Sequence, residues 1–517
     1  MAKLSSSILA AIDIGSSAIR MDIAEIRPEG TLHILESLTK GIQLGKDTFT
    51  KGYLSEESIR AACEVLRGFN KVMATYGVTQ LRAVATSAVR ESSNSDNFRE
   101  RVLMSTGLDV EILDRPEENR LAYSAVLESL KADPSLGDEK ILLVEVGGGS
   151  TDVTLLMEGK PLQSGTFALG SIRLRASMNA ASGAHDQQLK QLKRQITGFV
   201  RNIRRSVEIK EAKRFVAIGG DVRFAARVLL KSQERGNHCV IAKDAFADFV
   251  DSISRMSIDA VVQEYALSYL DAETLTPALL ICLQVLKETQ AADVIVSDAN
   301  IRMGILHDLM PAEEGGRLQN LSHQILSAAR SLGRKYQYDE QHAERVCELA
   351  TRIFDKLKVE QRMNNTHRLY LEVASLLHDI GLFISPRAHH KHSYYLISSS
   401  DLFGLRQREL DIIANVARYH RRALPQRSHL PFVSLTRDDR MLVSKLAAIL
   451  RVANALDKGL SQKALELKVF SEGDLLVLEA QNESDLSMEK NAIAGRANLF
   501  AEVFGKKIIL REAASNS

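Results

Sequence analysis

Short aliphatic runs that end in glycine and hydroxyl residues alternate, over roughly the first 300 positions, with stretches whose apolar residues recur every three or four positions. Runs of the first kind predict buried strands entering tight turns, and the second kind predicts amphipathic helices. Ile8–Ile26 reads as two strands joined at Asp13-Ile-Gly15-Ser16-Ser17. A helix is expected over Ser55–Tyr76, from the spacing of Ile59, Cys63, Leu66 and Phe69. The strand Leu81–Ala85 runs into Thr86-Ser87-Ala-Val-Arg90, and the strand Val110–Leu113 precedes a helix from Pro116 to Leu130. The aliphatic run from Ile141 then enters Gly147-Gly148-Gly149-Ser150-Thr151-Asp152. Strands at Val153–Met157 and Leu162–Ala168, a helix over Asp186–Ala212 and a strand Phe215–Ile218 ending in Gly219-Gly220-Asp221 follow. Pro277–Thr289 and Ile301–Leu309 read as helices around a strand at Asp293–Ser297.

Two successive copies of strands followed by a helix, with glycine turns at corresponding strand ends, predict a duplicated α/β unit with a cleft between its halves. Ligands of such sheets bind in the crevice at the strand termini. The polar stretch 311–317 reads as a linker. From about residue 322 the spacing turns helical: Ile325–Leu332, Gln341–Leu357, Arg368–Leu377, Arg408–Tyr419 and Leu442–Leu456. Two short strands around Gly473-Asp474, a helix at Leu486–Val503 and a strand at Lys507–Arg511 complete the pattern. The division expected is therefore 1–130 and 131–310 for the α/β halves, 322–464 for an all-α domain, and 465–517 for a small α/β cap.

Composition narrows the function classes. With 517 residues, 45% hydrophobic and 26% charged, the chain is that of an ordinary multi-domain globular protein. A formal net charge of +2 calls for no polyanion as partner, so no nucleic acid is predicted. The one local exception is Lys190–Arg214, where nine Lys or Arg stand against Glu208 and Glu211. That run is either a solvated face or a guide for a polyanion. The four cysteines, Cys63, Cys239, Cys282 and Cys347, fall in no metal or disulfide spacing and suit a reducing compartment. The N-terminus has no apolar signal core, and the longest apolar run, Ala278–Leu283, is too short for a bilayer. A cytoplasmic location and no membrane partner are expected. Nine of the thirteen histidines lie at or beyond His323, which points to separate chemistry in the helical part.

The chemistry-bearing residues cluster at the turns. Gly147, Gly148 and Gly149 let the backbone approach a ligand, and successive N–H groups in such a turn form an anion nest to which Ser150 and Thr151 add hydroxyls. Glu145 and Asp152 flank this cradle. Two carboxylates beside a phosphate site make sense with Mg²⁺ between them; otherwise the stretch is a glycine hairpin with surface acids. Gly15 and Ser16 after Asp13, Thr86 and Ser87 before Arg90, and Gly219-Gly220 repeat the theme, Arg90 being suited to bidentate phosphate binding. Glu117 and Glu118 can be ordinary first-turn acids of a helix.

Taken in order, Asp13-Ile-Gly-Ser-Ser, Ala85-Thr-Ser-Ala-Val-Arg90, Glu117-Glu-Asn-Arg120, Gly147-Gly-Gly-Ser-Thr-Asp152, Leu169-Gly-Ser-Ile-Arg173 and Ile218-Gly-Gly220 resemble the exopolyphosphatase / guanosine pentaphosphate phosphatase (Ppx/GppA) family, a branch of the actin-like, ribonuclease H-like superfamily. The resemblance implies removal of a terminal phosphoryl group by water, from polyphosphate or guanosine pentaphosphate. It makes Glu118 the catalytic base. Gly15, Ser16, Thr86, Ser87, Arg90, residues 147–151, Gly219 and Gly220 become phosphate ligands, and Asp13, Glu145 and Asp152 hold Mg²⁺. It also implies a homodimer. Several positions depart from the family pattern: Glu145 replaces Asp, Ser17 replaces Asn, Asn119 replaces Ala, and the usual Gly-Leu-Arg-Glu after the last strand is Asn300-Ile-Arg-Met303.

The helical region resembles an HD phosphohydrolase domain through His342, His378-Asp379 and Asp457, with His392 and His420 as ligands of a second ion. Mixed imidazole and carboxylate ligation suits Mn²⁺, Fe²⁺ or Mg²⁺. The alternatives are a structural remnant whose basic stretches around His389 and Arg418 contact polyphosphate, and a polyphosphate- or nucleotide-binding regulator whose hydrolysis, if any, occurs in this domain.

Overall fold

A computed structural model describes residues 7–130, 139–178, 185–231, 238–310, 316–421, 423–457, 467–480 and 486–512. Most of the expected linker, 311–315, lies outside this set. The chain forms two compact units, 1–317 and 318–517.

The first unit holds two sheets. One is built from β1 (Ile8–Ile14), β2 (Ala18–Ile26), β3 (Leu32–Gly41), β4 (Gln80–Ala85) and β5 (Val110–Ile112), in the order β3-β2-β1-β4-β5. The other comprises β6 (Ile141–Val146), β7 (Thr151–Met157), β8 (Lys160–Phe167), β9 (Arg214–Ile218), β10 (His238–Ala242) and β11 (Asp293–Ser297), in the order β10-β11-β9-β6-β7-β8. In each sheet three antiparallel strands lead into two parallel ones: β1 pairs with β2 and β4 as β6 pairs with β7 and β9. The connectivity is thus repeated, with β10 added antiparallel on the edge of the second copy.

Two strands went unread in the sequence. β3 and β10 are edge strands of mixed polar and apolar residues, only partly buried, so neither shows a clean alternation. The long basic helix ends at Ser206, and a separate 3₁₀ turn covers Ile209–Glu211. The helix expected to open at Pro277 begins eight residues earlier, at Tyr269, and carries Pro277 inside it. This Tyr269–Lys287 helix is long and apolar enough to cross a membrane, but 61% of its apolar window is buried inside the unit. It packs with Phe246, Val250 and Ile253 in the core of the second sheet.

The central strands β1 and β4 are covered on both faces. On one, Ile12, Ile14, Ala83 and Ala85 pack on Leu66, Phe69 and Met73 of the helix Glu56–Tyr76, which starts at the Ser55 cap. Each fully buried side chain of this size contributes about 1.5–3 kcal/mol. On the other, Leu9, Ala11 and Val84 pack on Ile301, Ile305 and Leu306. The helix Ile301–Leu309 therefore leaves the second sheet and closes on the first. Asp308 fixes it there by pairing with Arg82 and Arg120.

The second unit contains the helices Gly316–Lys335, Glu340–Leu357, Asn365–Leu377, His389–Ser398, Gln407–Arg418 and Arg437–Leu456. β12 (Leu467–Glu472) and β13 (Leu475–Ala480) form a hairpin, and β14 (Lys507–Glu512) pairs parallel to β13. The helix expected over 486–503 is two, Ser487–Ala494 and Asn498–Phe504.

Candidate active site

The strand ends of the first unit open into one cleft of about 660 Å³, lined by Asp13, Gly15, Ser16, Thr86, Ser87, Glu118, Glu145, Gly147, Gly148, Ser150, Asp152, Gly219 and Gly220. Thirteen sequence-predicted positions thus meet there, from five separate stretches. Each arrives by a local rule. Asp13 leads the β1–β2 turn, closed by the Gly15 amide on the Ala18 carbonyl at 3.0 Å. Thr86 precedes the short helix Ser87–Arg90 at the end of β4. Ser16 and Ser87 meet hydroxyl to hydroxyl at 3.2 Å. Gly219, at φ +125°, makes the bend from β9 into the helix Gly220–Leu230, a conformation that excludes a side chain.

The three-glycine loop is held from behind. The amides of Ser171, Ile172 and Arg173 donate to the carbonyls of Gly147 and Gly148 at 3.0–3.1 Å, and Arg173 Nε donates to the Gly149 carbonyl at 2.9 Å. With its carbonyls tied back, the loop leaves the Gly148 and Gly149 amides without a backbone hydrogen-bond partner among the described residues, which is the arrangement an anion requires. Gly149 itself is wedged between Phe49 and Ser87: a Cβ there would come within 2.4 Å of the ring. Thr151 does not line the cleft. Its side chain is sealed and its hydroxyl donates to the Leu169 carbonyl at 2.5 Å, so it braces the loop. Strand alternation explains the split, since Ser150 and Thr151 point to opposite sides.

Glu118 is reached differently. Asp114 caps its helix, its Oδ1 accepting from the Glu117 amide at 3.1 Å. The two first-turn acids then diverge. Glu117 is buried between Arg82 and Arg120, at 3.0 and 2.8 Å, and serves structure. Glu118 turns into the cleft, where Arg90 Nη1 donates to it at 2.7 Å and to the Leu113 carbonyl at 2.8 Å. Among the described residues Arg90 Nη2 is buried without a hydrogen-bond partner, an orphaned donor beside the phosphate loops.

The electrostatics are those of crowded acids. Burial pushes the Glu118 carboxyl up, with Arg90 opposing and Asp13 reinforcing. Burial, then Asp152, Glu118 and Asp13, push Glu145 up to about 8. Burial and Glu118 raise Asp152 to about 7 against the hydrogen bond from Thr166. Asp13 is raised by burial and eased by Arg20 and Arg302, each 3.8 Å away. Glu145 makes no ion pair among the described residues. Asp13 is buried and the other three acids half-buried; four carboxylates so close together fit a divalent cation, and all-oxygen donors suit Mg²⁺. The departure at Asn119 is also accommodated: its amide donates to Thr166, which donates to Asp152.

Arg20, Arg223, Arg227 and Arg302 complete the cleft wall. Arg302 falls in the Asn300-Ile-Arg-Met303 stretch noted in the sequence, whereas Arg20, Arg223 and Arg227 carry no mark there. Arg223 and Arg302 occupy first-turn positions just after the Gly219-Gly220 and Asn300 strand ends, a placement that signals anion-facing cations once the strands are known.

The comparisons with known proteins agree with this construction. The sequence profile of the Ppx/GppA phosphatase family matches residues 23–313, and that of Ppx/GppA phosphatase domain III matches residues 326–499. The chain belongs to the Ppx/GppA phosphatase family. The fold of its solved relatives is similar to a part of this chain. A Ppx/GppA family member from Aquifex aeolicus is 24% identical, with 59% of this chain and 97% of that one covered at a TM-score of 0.50. An exopolyphosphatase from Cytophaga hutchinsonii is 19% identical, with 59% and 98% covered at a TM-score of 0.55. Membership makes the chain a phosphatase-type hydrolase of mixed α/β fold.

In the second unit of this Ppx/GppA chain, His342, His378, Asp379 and His420 converge. Asp457 stands behind His342, its Oδ2 on the ring Nδ1 and its Oδ1 accepting from Arg345 at 2.7 Å. His392 belongs to neither ligand group among the described residues; His389, the first residue of the same helix, takes the expected place. The phase of His389-His-Lys-His392 is not legible in the residues, because that helix starts from a left-handed Ala388 at φ 59° without a capping side chain.

Proposed function

We propose that the first unit is a phosphoanhydride hydrolase that releases terminal phosphate from inorganic polyphosphate, and acts on guanosine pentaphosphate as the second substrate. The observation that carries this is the placement of Glu118 in one cleft with the three-glycine loop. The loop amides, Ser16, Ser87 and the free Arg90 nitrogen hold the terminal phosphoryl oxygens. Glu118 orients a water and takes its proton as the water oxygen bonds to phosphorus. The bridging P–O bond breaks, and the shortened chain leaves with the electron pair. Asp13, Glu145 and Asp152 would hold Mg²⁺, which supplies charge neutralisation on the phosphoryl oxygens.

Polymer is favoured over nucleotide by the wall chemistry. Arg20, Arg223, Arg227 and Arg302 line the cleft beside Asp221, Asp271 and Asp298, and Phe224 is the one Phe, Tyr or Trp among the described lining residues, so the wall offers cations for a phosphate chain and little surface for a base. We read residues 1–130 and 131–310 as the two actin-like halves, 322–464 as HD-type and 465–517 as a cap, in a cytoplasmic homodimer. Phosphate release from both substrates, with and without Mg²⁺, tests the reading; transfer of phosphate to an acceptor instead of water would overturn it.

A pH dependence follows from the crowded acids. Glu145 and Asp152, raised to about 8 and about 7, hold protons in the folded chain that the unfolded chain releases near pH 4. Their contribution to apo stability is present at low pH and is lost as pH rises through 7–8. A cation must displace those protons, so its affinity runs the other way, weakening up to about tenfold per pH unit for each proton displaced. The rise in melting temperature on adding Mg²⁺ is therefore expected to be larger at pH 8 than at pH 6. Thermal denaturation at both values checks this, and an equal rise at both would contradict it.

A further inference from the structure

We infer that Asn119 is a positioning residue for the cleft cation: through the Thr166 hydroxyl it fixes the Asp152 carboxylate, so that the helix carrying Glu118 also aims a metal ligand. The inference rests on the reading of Asp152 as a cation ligand. It concerns a position at which this chain departs from the family pattern.

Asp152 stands directly opposite Glu145 in the β6–β7 pair and directly opposite Thr166 in the β7–β8 pair. Residues paired in this way share one face of a sheet, with Cβ atoms about 4.5–5.5 Å apart. Glu145, Asp152 and Thr166 therefore form a single row across the second sheet. Asn119 meets the Thr166 end of that row from the helix Arg115–Leu130. Successive helical residues point about 100° apart, so Glu118 and Asn119 serve different partners. Glu118 accepts from Arg90 at 2.7 Å, and Asn119 turns to Thr166.

The direction of the hydrogen bonds is fixed by counting hydrogens. Asn119 Nδ2 is 3.0 Å from Thr166 Oγ1, which is 2.5 Å from Asp152 Oδ1. An ionised carboxylate only accepts, and a hydroxyl has one hydrogen to give. With that hydrogen on Asp152, Thr166 meets Asn119 solely as an acceptor, so the Asn119 amide donates. An amide turned the other way would set three oxygens in line with one hydrogen among them. Asn119 is 6% and Thr166 9% exposed, which leaves water little access to compete for the hydroxyl. Alanine at 119 would take away the donor that holds the hydroxyl in this sense.

Asp152 Oδ1 is thus committed to Thr166, and because Asp152 lines the cleft its Oδ2 is the oxygen left for a cation. A ligating carboxylate already held by a hydrogen bond has less freedom to lose when the ion binds, and outer partners of this kind are worth about 10–100-fold in metal affinity. Since Asn119 follows Glu118 directly, one rigid helix sets the place of both the base and the ligand.

The test uses the full-length protein with Mg²⁺ alone as the probe, read by hydrogen exchange of the segment 141–157, which reports on the first unit whatever the second unit binds. The Mg²⁺ concentration giving half-maximal protection there is set beside the one that half-saturates phosphate release. Asn119→Ala is expected to raise both about 10–100-fold, with kcat at saturating Mg²⁺ changing far less. Asn119→Leu, which keeps the volume without a donor, should do the same. Thr166→Val should also weaken binding, whereas Thr166→Ser, which keeps the hydroxyl, should bind as wild type does. Asn119→Ala added to Thr166→Val should have no further effect, because the two groups act in series.

Unchanged half-points in Asn119→Ala beside raised ones in Asp152→Asn overturn the relay and leave the cation reading standing. Unchanged half-points in Asp152→Asn, or no protection of the wild type by Mg²⁺, overturn that reading and the relay with it. Factors that multiply in the double variant would make Asn119 a packing residue and sink the relay alone. Should both Asn119 variants fail to fold by circular dichroism, Thr166→Val against Thr166→Ser decides.

Discussion

Glu118→Gln is expected to slow phosphate release about 10²–10⁴-fold in kcat, the range a positioned general base supplies. The amide keeps the shape and an acceptor for Arg90, which donates to this side chain at 2.7 Å, so substrate binding and fold should survive. Proton transfer from water occurs only on the way to the transition state, so KM should move little while kcat collapses. The pH profile gives a second readout. Burial raises the Glu118 carboxyl, and the base works deprotonated, so wild-type rate at saturating Mg²⁺ should climb with pH through a limb above the ordinary carboxylate range. The residual rate of the variant should lack that limb. Unchanged release by Glu118→Gln would move any hydrolysis to the second unit and leave the first as a binding module.

How much of this was legible in the sequence depends on which physical signal each residue carries. The turns were legible because a strand ending in glycine and hydroxyl residues has one outcome, and their order along the chain did the rest. Glu117 and Glu118 were not separable. Adjacent acids in a first turn look alike until Arg82 and Arg120 claim one and the cleft takes the other. Thr151 was assigned to the cradle with its neighbours, yet the period of two in β7 sends it inward. β3 and β10 escaped because an edge strand half in water needs no regular alternation. His389 escaped because the phase of a short helix is fixed by contacts distant in sequence, here His420 and Asp379. What sequence reasoning missed is mostly the outcome of such long-range contacts: Arg223 and Arg302 become cleft residues only when the two sheets supply the walls.

The same dependence on close approach makes Gly170→Ala the second large effect. An added Cβ would lie 2.3 Å from the Gly148 carbonyl oxygen and 2.4 Å from the Gly148 and Gly149 carbonyl carbons, all backbone. No rotamer change relieves a clash with main chain, so the three-glycine loop or the helix Ser171–Met178 must shift. Overpacking of this kind costs about 1–3 kcal/mol. The functional loss should exceed the loss of stability. The hydrogen bonds from the amides of residues 171–173 aim the loop, and a displacement of about 1 Å at a reacting centre costs about 10²-fold. The variant is therefore expected to remain folded by circular dichroism, melt several degrees lower and release phosphate at least about 10²-fold more slowly. Gly68→Ala is the matched control: it lies exposed within the helix Glu56–Tyr76 with nothing within 4 Å of an added Cβ, and should gain about 0.5–1 kcal/mol with full activity. Full activity in Gly170→Ala would mean either that the helix Ser171–Met178 alone gives way or that the loop does not hold the phosphoryl group.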